Sequence, residues 1–182
     1  MLATWVDDVQ NFWFREISRE AWFAADEQFD ALCKARFLKI HEALATDFRL
    51  ADAISSPERA IASVILLDQF PRNMFRGSAR AFATDPLALA IAGAAIERAH
   101  AASLGKDQRL FLYLPFQHSE SLADQDRSVE LFRELGDDEW LRYAVDHRDI
   151  IRRFGRFPHR NDALARASTS EELALLTTWR GF

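Results

Sequence analysis

Apolar residues recur at intervals of three and four along most of the chain, and no stretch alternates convincingly between apolar and polar residues. This spacing predicts amphipathic α-helices, because residues three and four positions apart share one helix face. Only 6 glycines and 5 prolines interrupt the pattern. We therefore expect an all-α fold of about eight helices, packed as antiparallel hairpins and joined by short turns.

Local signals place the starts of several helices. A helix that begins around Asp26 carries an apolar stripe of six residues: Phe29, Leu32, Cys33, Phe37, Ile40 and Leu44. The sequence SPE at 56–58 combines a cap, a first-turn proline and an acidic residue, and DP at 85–86 repeats this device. Thr169 and Glu172 have the spacing of a capping box for the last helix.

Composition narrows the class of protein. A chain of 182 residues, 49% hydrophobic and 28% charged, predicts one folded helical domain over residues 1–182. Aromatic residues make up 12% of the chain and predict a core filled by rings, with Phe70 and Phe157 as anchors. The net charge of −5 argues against nucleic acid and anionic membranes as partners.

The expected location is the cytoplasm. A single cysteine, Cys33, excludes an intrachain disulfide and fits a reducing compartment. The chain begins with Asp7 and Asp8 where a secretion signal would be basic, and no apolar run approaches the roughly 20 residues of a membrane span. Secretion and membrane insertion are therefore not expected.

Three segments hold most of the unusual polar residues: LDQFPRNMFRG at 67–77, LPFQHSESLADQ at 114–125 and HRDIIRRFGRFPHRN at 147–161. Each combines phenylalanine and proline with hydrogen-bonding side chains at a predicted helix boundary. Such mixtures are typical of semi-buried polar networks rather than of exposed loops. We expect the three segments to meet on one side of the fold, with Arg72, His118 and Arg160 around one anion-sized space.

These segments resemble the DUF924 family of uncharacterised bacterial proteins, as do FWF at 12–14, WFAADEQFD at 22–30 and AFATDPLALA at 81–90. The resemblance covers nearly the whole chain and implies a right-handed, tetratricopeptide-like arrangement of helices. It implies no established activity. The family's end motif, LGR followed by ST and EE, appears as LARASTSEE, with Ala165 in the glycine position.

The resemblance also marks fifteen polar positions: Asp68, Gln69, Arg72, Asn73, Arg76, Asp85, His118, Ser119, Glu120, Gln125, His147, Arg156, His159, Arg160 and Asn161. Among them, the arginines offer planar guanidinium groups that suit carboxylate or phosphate, and histidines move protons near neutral pH. One hypothesis is therefore a protein that binds an anionic small molecule, or an enzyme that acts on one.

In that hypothesis His118 and His159 are the candidate catalytic residues. The candidate ligand-binding residues are Asp68, Gln69, Arg72, Asn73, Arg76, Glu120, Gln125, His147, Arg156, Arg160 and Asn161. The sequence names no cofactor and no oligomeric state. In the alternative, the polar residues cap helix ends and neutralise buried carboxylates, and the helical hairpins bind a protein partner.

Other chemistries have little support. Glu97 and His100 form one Glu-x-x-His pair without the second pair that a di-iron bundle needs, so no metal site is predicted. Cys33 lies in an apolar stripe and is expected to be a core residue. Ser119 beside His118 makes no catalytic triad, and we expect it to cap the following helix. No glycine-rich phosphate loop occurs.

Overall fold

The computed structural model describes residues 4–179, and no β-strand occurs among them, so the all-α prediction is confirmed. The α-helical segments of this range are α1 Thr4–Asn11, α2 Glu27–Thr46, α3 Leu50–Ala53, α4 Pro57–Val64, α5 Phe70–Met74, α6 Asp85–Glu97, α7 Lys106–His118, α8 Leu122–Leu135, α9 Asp138–Phe154 and α10 Ser170–Leu176. Two π-helical turns, Phe12–Glu16 and Ile65–Gln69, continue α1 and α4. The tetratricopeptide-like arrangement stays a prediction.

Most of the predicted helix starts are confirmed by their hydrogen bonds. The carboxylate of Asp26 accepts from the Phe29 N–H at 2.7 Å, and the Ser56 hydroxyl accepts from Arg59 N–H at 3.2 Å. At α10 the Thr169 hydroxyl and the Glu172 carboxylate bond each other's backbone N–H groups, which is a complete capping box. These side chains satisfy N–H groups that have no acceptor inside the helix.

Backbone contacts divide the chain into two compact units. Unit 1 comprises residues 4–76 and 80–115, and unit 2 comprises residues 77–79 and 116–179 of the described range. Each unit has its own buried apolar residues. The single domain expected from the chain length stays a prediction.

Aromatic rings fill the core of unit 1. Phe37 and Phe70 stack with their ring centroids 4.4 Å apart, and Trp13 packs edge-on against both Phe70 and Phe111 at 5.4 Å. All four rings are fully buried. Such contacts add to the large apolar area that each ring removes from water. The expected ring-filled core and the role of Phe70 as an anchor are confirmed.

Helix α2 buries a narrower stripe than its sequence predicts. Its buried residues are Cys33, Phe37 and His41, each four positions apart, whereas Leu32 is 48% exposed. Successive residues differ by about 100° around a helix, so Leu32 is turned away from the line that Cys33 begins. The inclusion of Leu32 in the apolar stripe was therefore wrong.

Unit 2 is built on the hairpin of α8 and α9. The two helices pack against each other and are joined by Gly136 and Asp137. Gly136 ends α8 with a φ of +69°, a left-handed conformation that glycine adopts without steric cost, and Asp137 caps α9. Phe157 is fully buried in this unit, which confirms it as a core anchor.

One stretch, Ala79–Glu97, is long enough and apolar enough to be a candidate membrane span by length and composition alone, with a mean hydropathy of 1.3. Its continuous α-helix is α6, which has 13 residues. At 1.5 Å per residue this helix is about 20 Å long, shorter than the roughly 30 Å hydrocarbon core of a bilayer. The preceding residues form a 3₁₀ turn, Ala79–Ala81, and a further turn at residues 82–84.

Candidate functional site

The first polar segment begins in a π-helical turn of unit 1. The proline that follows this turn leaves two backbone carbonyls for side chains to bond. The N–H of Phe70 bonds the Ile65 carbonyl five residues earlier, and Pro71 has no N–H. The carbonyls of Leu66 and Leu67 therefore lack their helical donors. Side chains from other elements take this place: Nδ1 of His41 bonds the Leu66 carbonyl at 3.0 Å, and the Thr84 hydroxyl bonds that of Leu67 at 2.5 Å.

Arg72 lies between two carboxylates beside this turn. It makes two parallel hydrogen bonds of 3.0 Å to Asp85, and its guanidinium is 3.4 Å from Oδ1 of the fully buried Asp68. It also donates to the Asp68 carbonyl, and the Gln69 amide donates to the Asp68 carboxylate. Burial opposes the positive charge, but Asp68 and Asp85 outweigh it and raise the pKa of Arg72.

Asp30 binds the two remaining candidates of the first segment, Asn73 and Arg76. Its carboxylate accepts from Nδ2 of Asn73 at 2.9 Å and from Nε and a terminal nitrogen of Arg76 at 2.6 and 2.8 Å. Partial burial raises the pKa of Asp30, but these donors outweigh burial and lower it below its ordinary value. Asn73 and Arg76 are therefore linked to α2 through Asp30.

In unit 2, Gln125 holds the end of α7. Its Nε2 donates to the carbonyl oxygens of Gln117 and Ser119 at 2.7 Å each, and lies 3.5 Å from that of Phe116. These carbonyls belong to the last turn of α7 and its exit, where no helical N–H remains. Gln125 is fully buried, so its amide replaces water at these acceptors.

The serine that caps α8 is not the predicted one. Ser121 stands at the cap and accepts from the Asp124 N–H at 3.5 Å, whereas the Ser119 hydroxyl donates to the Asp124 carboxylate at 2.7 Å. Ser119 also accepts from the Ser121 N–H. The expectation that Ser119 caps the helix was wrong because the turn contains two more residues before the helix starts.

Glu120 joins this turn to the third polar segment. One carboxylate oxygen accepts from the Phe157 N–H at 2.7 Å and from Arg166 at 3.0 Å, and the other accepts from Arg166 at 2.7 Å. Arg166 also donates to the carbonyl of Phe157 and to Oδ1 of Asn161. Burial raises the pKa of Glu120, but Arg166 and the Phe157 N–H outweigh burial and lower it.

Asn161 extends the network to Glu172 on α10. Its amide nitrogen bonds the Ser168 hydroxyl at 2.9 Å and Glu172 at 3.4 Å. Arg156 holds Glu172 through two hydrogen bonds of 2.6 and 2.8 Å, and this pair lowers the pKa of Glu172 to about 2. Arg156 also donates to the carbonyl of Ala167. We call the connected residues Glu120, Arg166, Asn161, Glu172 and Arg156 the C-terminal clamp.

Three basic side chains contact the buried ring of Phe157, and a fourth lies near one of them. The His147 ring packs edge-on against it at 5.7 Å, the His159 ring lies at 5.6 Å, and the Arg160 guanidinium lies 4.6 Å above the ring. His118, at the end of α7, is close enough for its charge to act on His147. We call His118, His147, His159 and Arg160 the basic cluster.

His147 is neutral and its tautomer is determined by its surroundings. Nδ1 lies 2.7 Å from the Tyr143 carbonyl, which only accepts, so Nδ1 carries the proton. Nε2 then accepts from the amide nitrogen of Gln117 at 3.4 Å. Burial lowers the pKa of His147 well below its ordinary 6.5, and the charges of His118, Arg160 and His159 lower it further.

The predicted site residues therefore fall into separate groups. In unit 1 the structure joins Asp68, Gln69, Arg72 and Asp85, and it joins Asn73 and Arg76 through Asp30. In unit 2 the groups are the C-terminal clamp, the basic cluster and the Gln125 helix end. The single space expected between Arg72, His118 and Arg160 stays a prediction. Among residues 4–179, no three His, Cys, Asp or Glu side chains are placed to hold a metal ion.

Several residues on which these networks depend were not among the predicted site residues. They are His41, Thr84, Asp30, Gln117, Arg166 and Glu172. Asp30, Gln117, Arg166 and Glu172 lie inside the motifs WFAADEQFD, LPFQHSESLADQ and LARASTSEE, which was the available signal. Thr84 likewise lies inside the motif AFATDPLALA. His41 carries no local signal, because its partner is a carbonyl that Pro71 and the π-helical turn expose 25 residues away in the sequence.

Comparison with known proteins finds relatives of unknown function. The chain is similar to a protein of unknown function, ATU0120, from Agrobacterium tumefaciens. The two share 42% identity with a TM-score of 0.90, and the match covers 97% of this chain and 98% of that one. No curated protein matches. The family model of DUF924, bacterial proteins of unknown function, matches residues 9–179. The chain belongs to the DUF924 family.

Proposed function

We propose that unit 2 binds a small anionic molecule at the basic cluster. The observation that carries this proposal is the convergence of His147, His159 and Arg160 on the buried ring of Phe157, with His118 close enough for its charge to act on His147. Arg160 is 7% exposed, and a guanidinium remains charged at any physiological pH. A buried cation among imidazoles gains most from an anionic partner, because the low local dielectric strengthens their attraction.

The neighbouring carboxylate of Glu120 accepts hydrogen bonds from donors other than Arg160. The charge of Arg160 acts on Glu120, yet the Glu120 oxygens accept hydrogen bonds from Arg166 and from the Phe157 backbone. Glu120 is thus engaged in the C-terminal clamp. A carboxylate or phosphate group of a ligand offers two or three further acceptor oxygens, which suits the planar fork of Arg160.

The members of the basic cluster have different roles in this proposal. Arg160 binds the anion directly, and His118 and His159 donate hydrogen bonds to it or exchange a proton with it near neutral pH. His147 stays neutral, because burial lowers its pKa and outweighs the hydrogen bond to the Tyr143 carbonyl, which raises it. His118 and His159 are therefore the acid and base candidates if the protein is an enzyme.

Arg72, Arg76 and Arg156 are not part of the proposed site. Each is held by a carboxylate of its own unit through at least two hydrogen bonds: Arg72 by Asp85, Arg76 by Asp30 and Arg156 by Glu172. A ligand anion would have to displace these pairs. The proposal therefore reduces the arginines that bind ligand to Arg160.

Isothermal titration calorimetry with inorganic phosphate, pyrophosphate, succinate and citrate tests the proposal. Wild-type protein is expected to bind at least one of these probes. Arg160→Ala should weaken that binding about tenfold or more, because a hydrogen bond to a charged group contributes about 1.5–3 kcal/mol. Arg160→Lys should recover part of the loss, since lysine keeps the charge without the planar fork.

Arg127→Ala is the matched control, because Arg127 is an exposed arginine of unit 2 that pairs with Glu130 on α8. It removes the same charge and should leave the affinity within about twofold. Equal weakening by Arg127→Ala and Arg160→Ala would mean that the net charge of the unit, rather than the basic cluster, binds the anion. Absence of binding to all four probes would contradict the proposal directly.

A further inference from the structure

Gln117 presents a buried acceptor beside the basic cluster. Gln117 lies in the last turn of α7 and is only 3% exposed. Its Nε2 faces Nε2 of His147. Its Oε1 is also buried and accepts no hydrogen bond from the part of the chain that the structure describes. A buried polar atom in this state is exceptional, since nearly all such atoms in native proteins have a partner.

The tautomer of His147 determines which way the Gln117 amide faces. Because Nδ1 of His147 donates to the Tyr143 carbonyl, Nε2 carries a lone pair and needs a donor. The Gln117 NH₂ supplies that donor at 3.4 Å. Rotating the amide by 180° would bring its oxygen against the lone pair of Nε2, so Oε1 is held on the opposite side.

The backbone of Gln117 is held as firmly as its side chain. Its carbonyl accepts from the buried amide of Gln125 at 2.7 Å, which ties this turn of α7 to α8. Gln117 precedes His118 and contacts His147, so two members of the basic cluster are its direct neighbours. Rigid acceptors of this kind discriminate between ligands, because they do not relax when a partner is lacking.

We propose that the anion bound by the basic cluster also carries a hydroxyl group, and that this hydroxyl donates a hydrogen bond to Oε1 of Gln117. The inference rests on the proposed function and specifies its ligand class: hydroxy acids or phosphate esters of polyols. Arg160 binds the anionic group, and Gln117 selects for the hydroxyl. A ligand without the hydroxyl leaves Oε1 buried and unsatisfied, which lowers its affinity.

Calorimetry with pairs of probes that differ by one or more hydroxyl groups tests this selection. The pairs are malate with succinate, and glycerol 3-phosphate with propyl phosphate. Wild-type protein is expected to bind the hydroxylated member of at least one pair about tenfold more tightly. Gln117→Met, which replaces the amide by an apolar chain of similar length, should bring the two affinities of that pair within about twofold.

Gln117→Glu keeps an acceptor oxygen but removes the NH₂ donor, so it distinguishes the effects of the two groups. It also provides a test if Gln117→Met does not fold. A glutamate retains an acceptor oxygen, so the preference for the hydroxylated probe should persist. Its second oxygen faces Nε2 of His147 and should favour a proton there. The ¹⁵N chemical shifts of His147 report this change, and in the wild type they should show the neutral ring protonated on Nδ1.

Gln108→Met is the matched control, because Gln108 lies in the first turn of the same helix and contacts Gln10 in unit 1. The preference for hydroxylated probes should be unchanged in this variant. If Gln108→Met and Gln117→Met reduce the preference equally, the inference is overturned.

The possible failures are distinguishable. If no anion binds the wild type, the proposed function fails. If anions bind and depend on Arg160 but both members of each pair bind equally, only the inference about Gln117 fails. The inference also fails if the preference survives Gln117→Met, or if His147 is found protonated on Nε2 in the wild type.

Discussion

The hydroxyl of Thr84 bonds the carbonyl oxygen of Leu67 at 2.5 Å and takes the place of the N–H that Pro71 does not have. Thr84 precedes α6, and Leu67 belongs to the π-helical turn that follows α4. The proline that interrupts one helix is therefore compensated by the residue that starts another. This relationship also brings Asp85, the next residue, to the guanidinium of Arg72.

Thr84→Val should lower the free energy of unfolding by about 1–3 kcal/mol, because it leaves the buried Leu67 carbonyl without a donor while keeping the shape of the side chain. Thr84→Ser retains the hydroxyl and serves as the control, with a smaller expected loss. Urea denaturation of the three proteins measures the difference. Equal stability of Thr84→Val and the wild type would show that another donor reaches the Leu67 carbonyl.

Arg72→Ala should destabilise the protein by about 3–5 kcal/mol, since it leaves the fully buried Asp68 without its guanidinium partner. Arg127→Ala, which removes an exposed arginine paired with Glu130, should cost less than about 1 kcal/mol. Chemical denaturation of both variants gives the comparison. A loss below about 1 kcal/mol for Arg72→Ala would support a ligand-binding rather than a structural role for this residue.

Ala165→Gly should stabilise the protein by about 1 kcal/mol. Ala165 has a φ of +52°, a left-handed conformation that costs residues with a side chain about 1–2 kcal/mol, and glycine offsets part of this gain by its larger entropy when unfolded. Ala163→Gly, in the same turn, should instead be neutral or destabilising. Thermal melting of the two variants distinguishes these outcomes, and a destabilised Ala165→Gly would contradict the expected strain.

Stability should fall as the pH drops below about 6.5, because burial lowers the pKa of His41 and lowers that of His147 further. Below pH 6.5 these two histidines bind protons in the unfolded chain but stay neutral in the folded protein. Acid therefore favours unfolding. Each histidine contributes at most about 1.4 kcal/mol per pH unit in this range. Urea denaturation between pH 7.5 and 5.5 should show a smaller slope for His147→Gln, and an unchanged slope would contradict the assignment.

Short-range signals in the sequence were sufficient for much of the fold. The caps at Asp26, Ser56 and Thr169 were predictable because each side chain bonds a backbone N–H three residues away. The two serines before α8 show the limit of this reasoning. Both have cap chemistry, and only the geometry of the turn decides that Ser121 caps the helix while Ser119 bonds Asp124.

The candidate site was less predictable, because its residues are defined by partners distant in sequence. The polar segments drew attention to Arg72 and Arg156, but guanidinium chemistry suits a ligand anion and an internal carboxylate equally well. The choice depends on Asp85 and Glu172, which lie 13 and 16 residues away. No periodicity encodes such pairs. The π-helical turn at Ile65–Gln69 is likewise invisible in a pattern of apolar residues.

The C-terminal clamp restrains the motion of the segment between α9 and α10. Residues 155–169, between α9 and α10, contain one short helical element, the 3₁₀ turn Pro158–Arg160, and a turn at residues 161–165. Connecting segments with so little regular structure are commonly mobile. Glu120 and Glu172 nevertheless bind this segment near its two ends, through Phe157, Arg166, Arg156 and Thr169. Its hydrogen-bonded backbone amides should therefore exchange with deuterium only when the surrounding helices open, as slowly as those of α8 and α9.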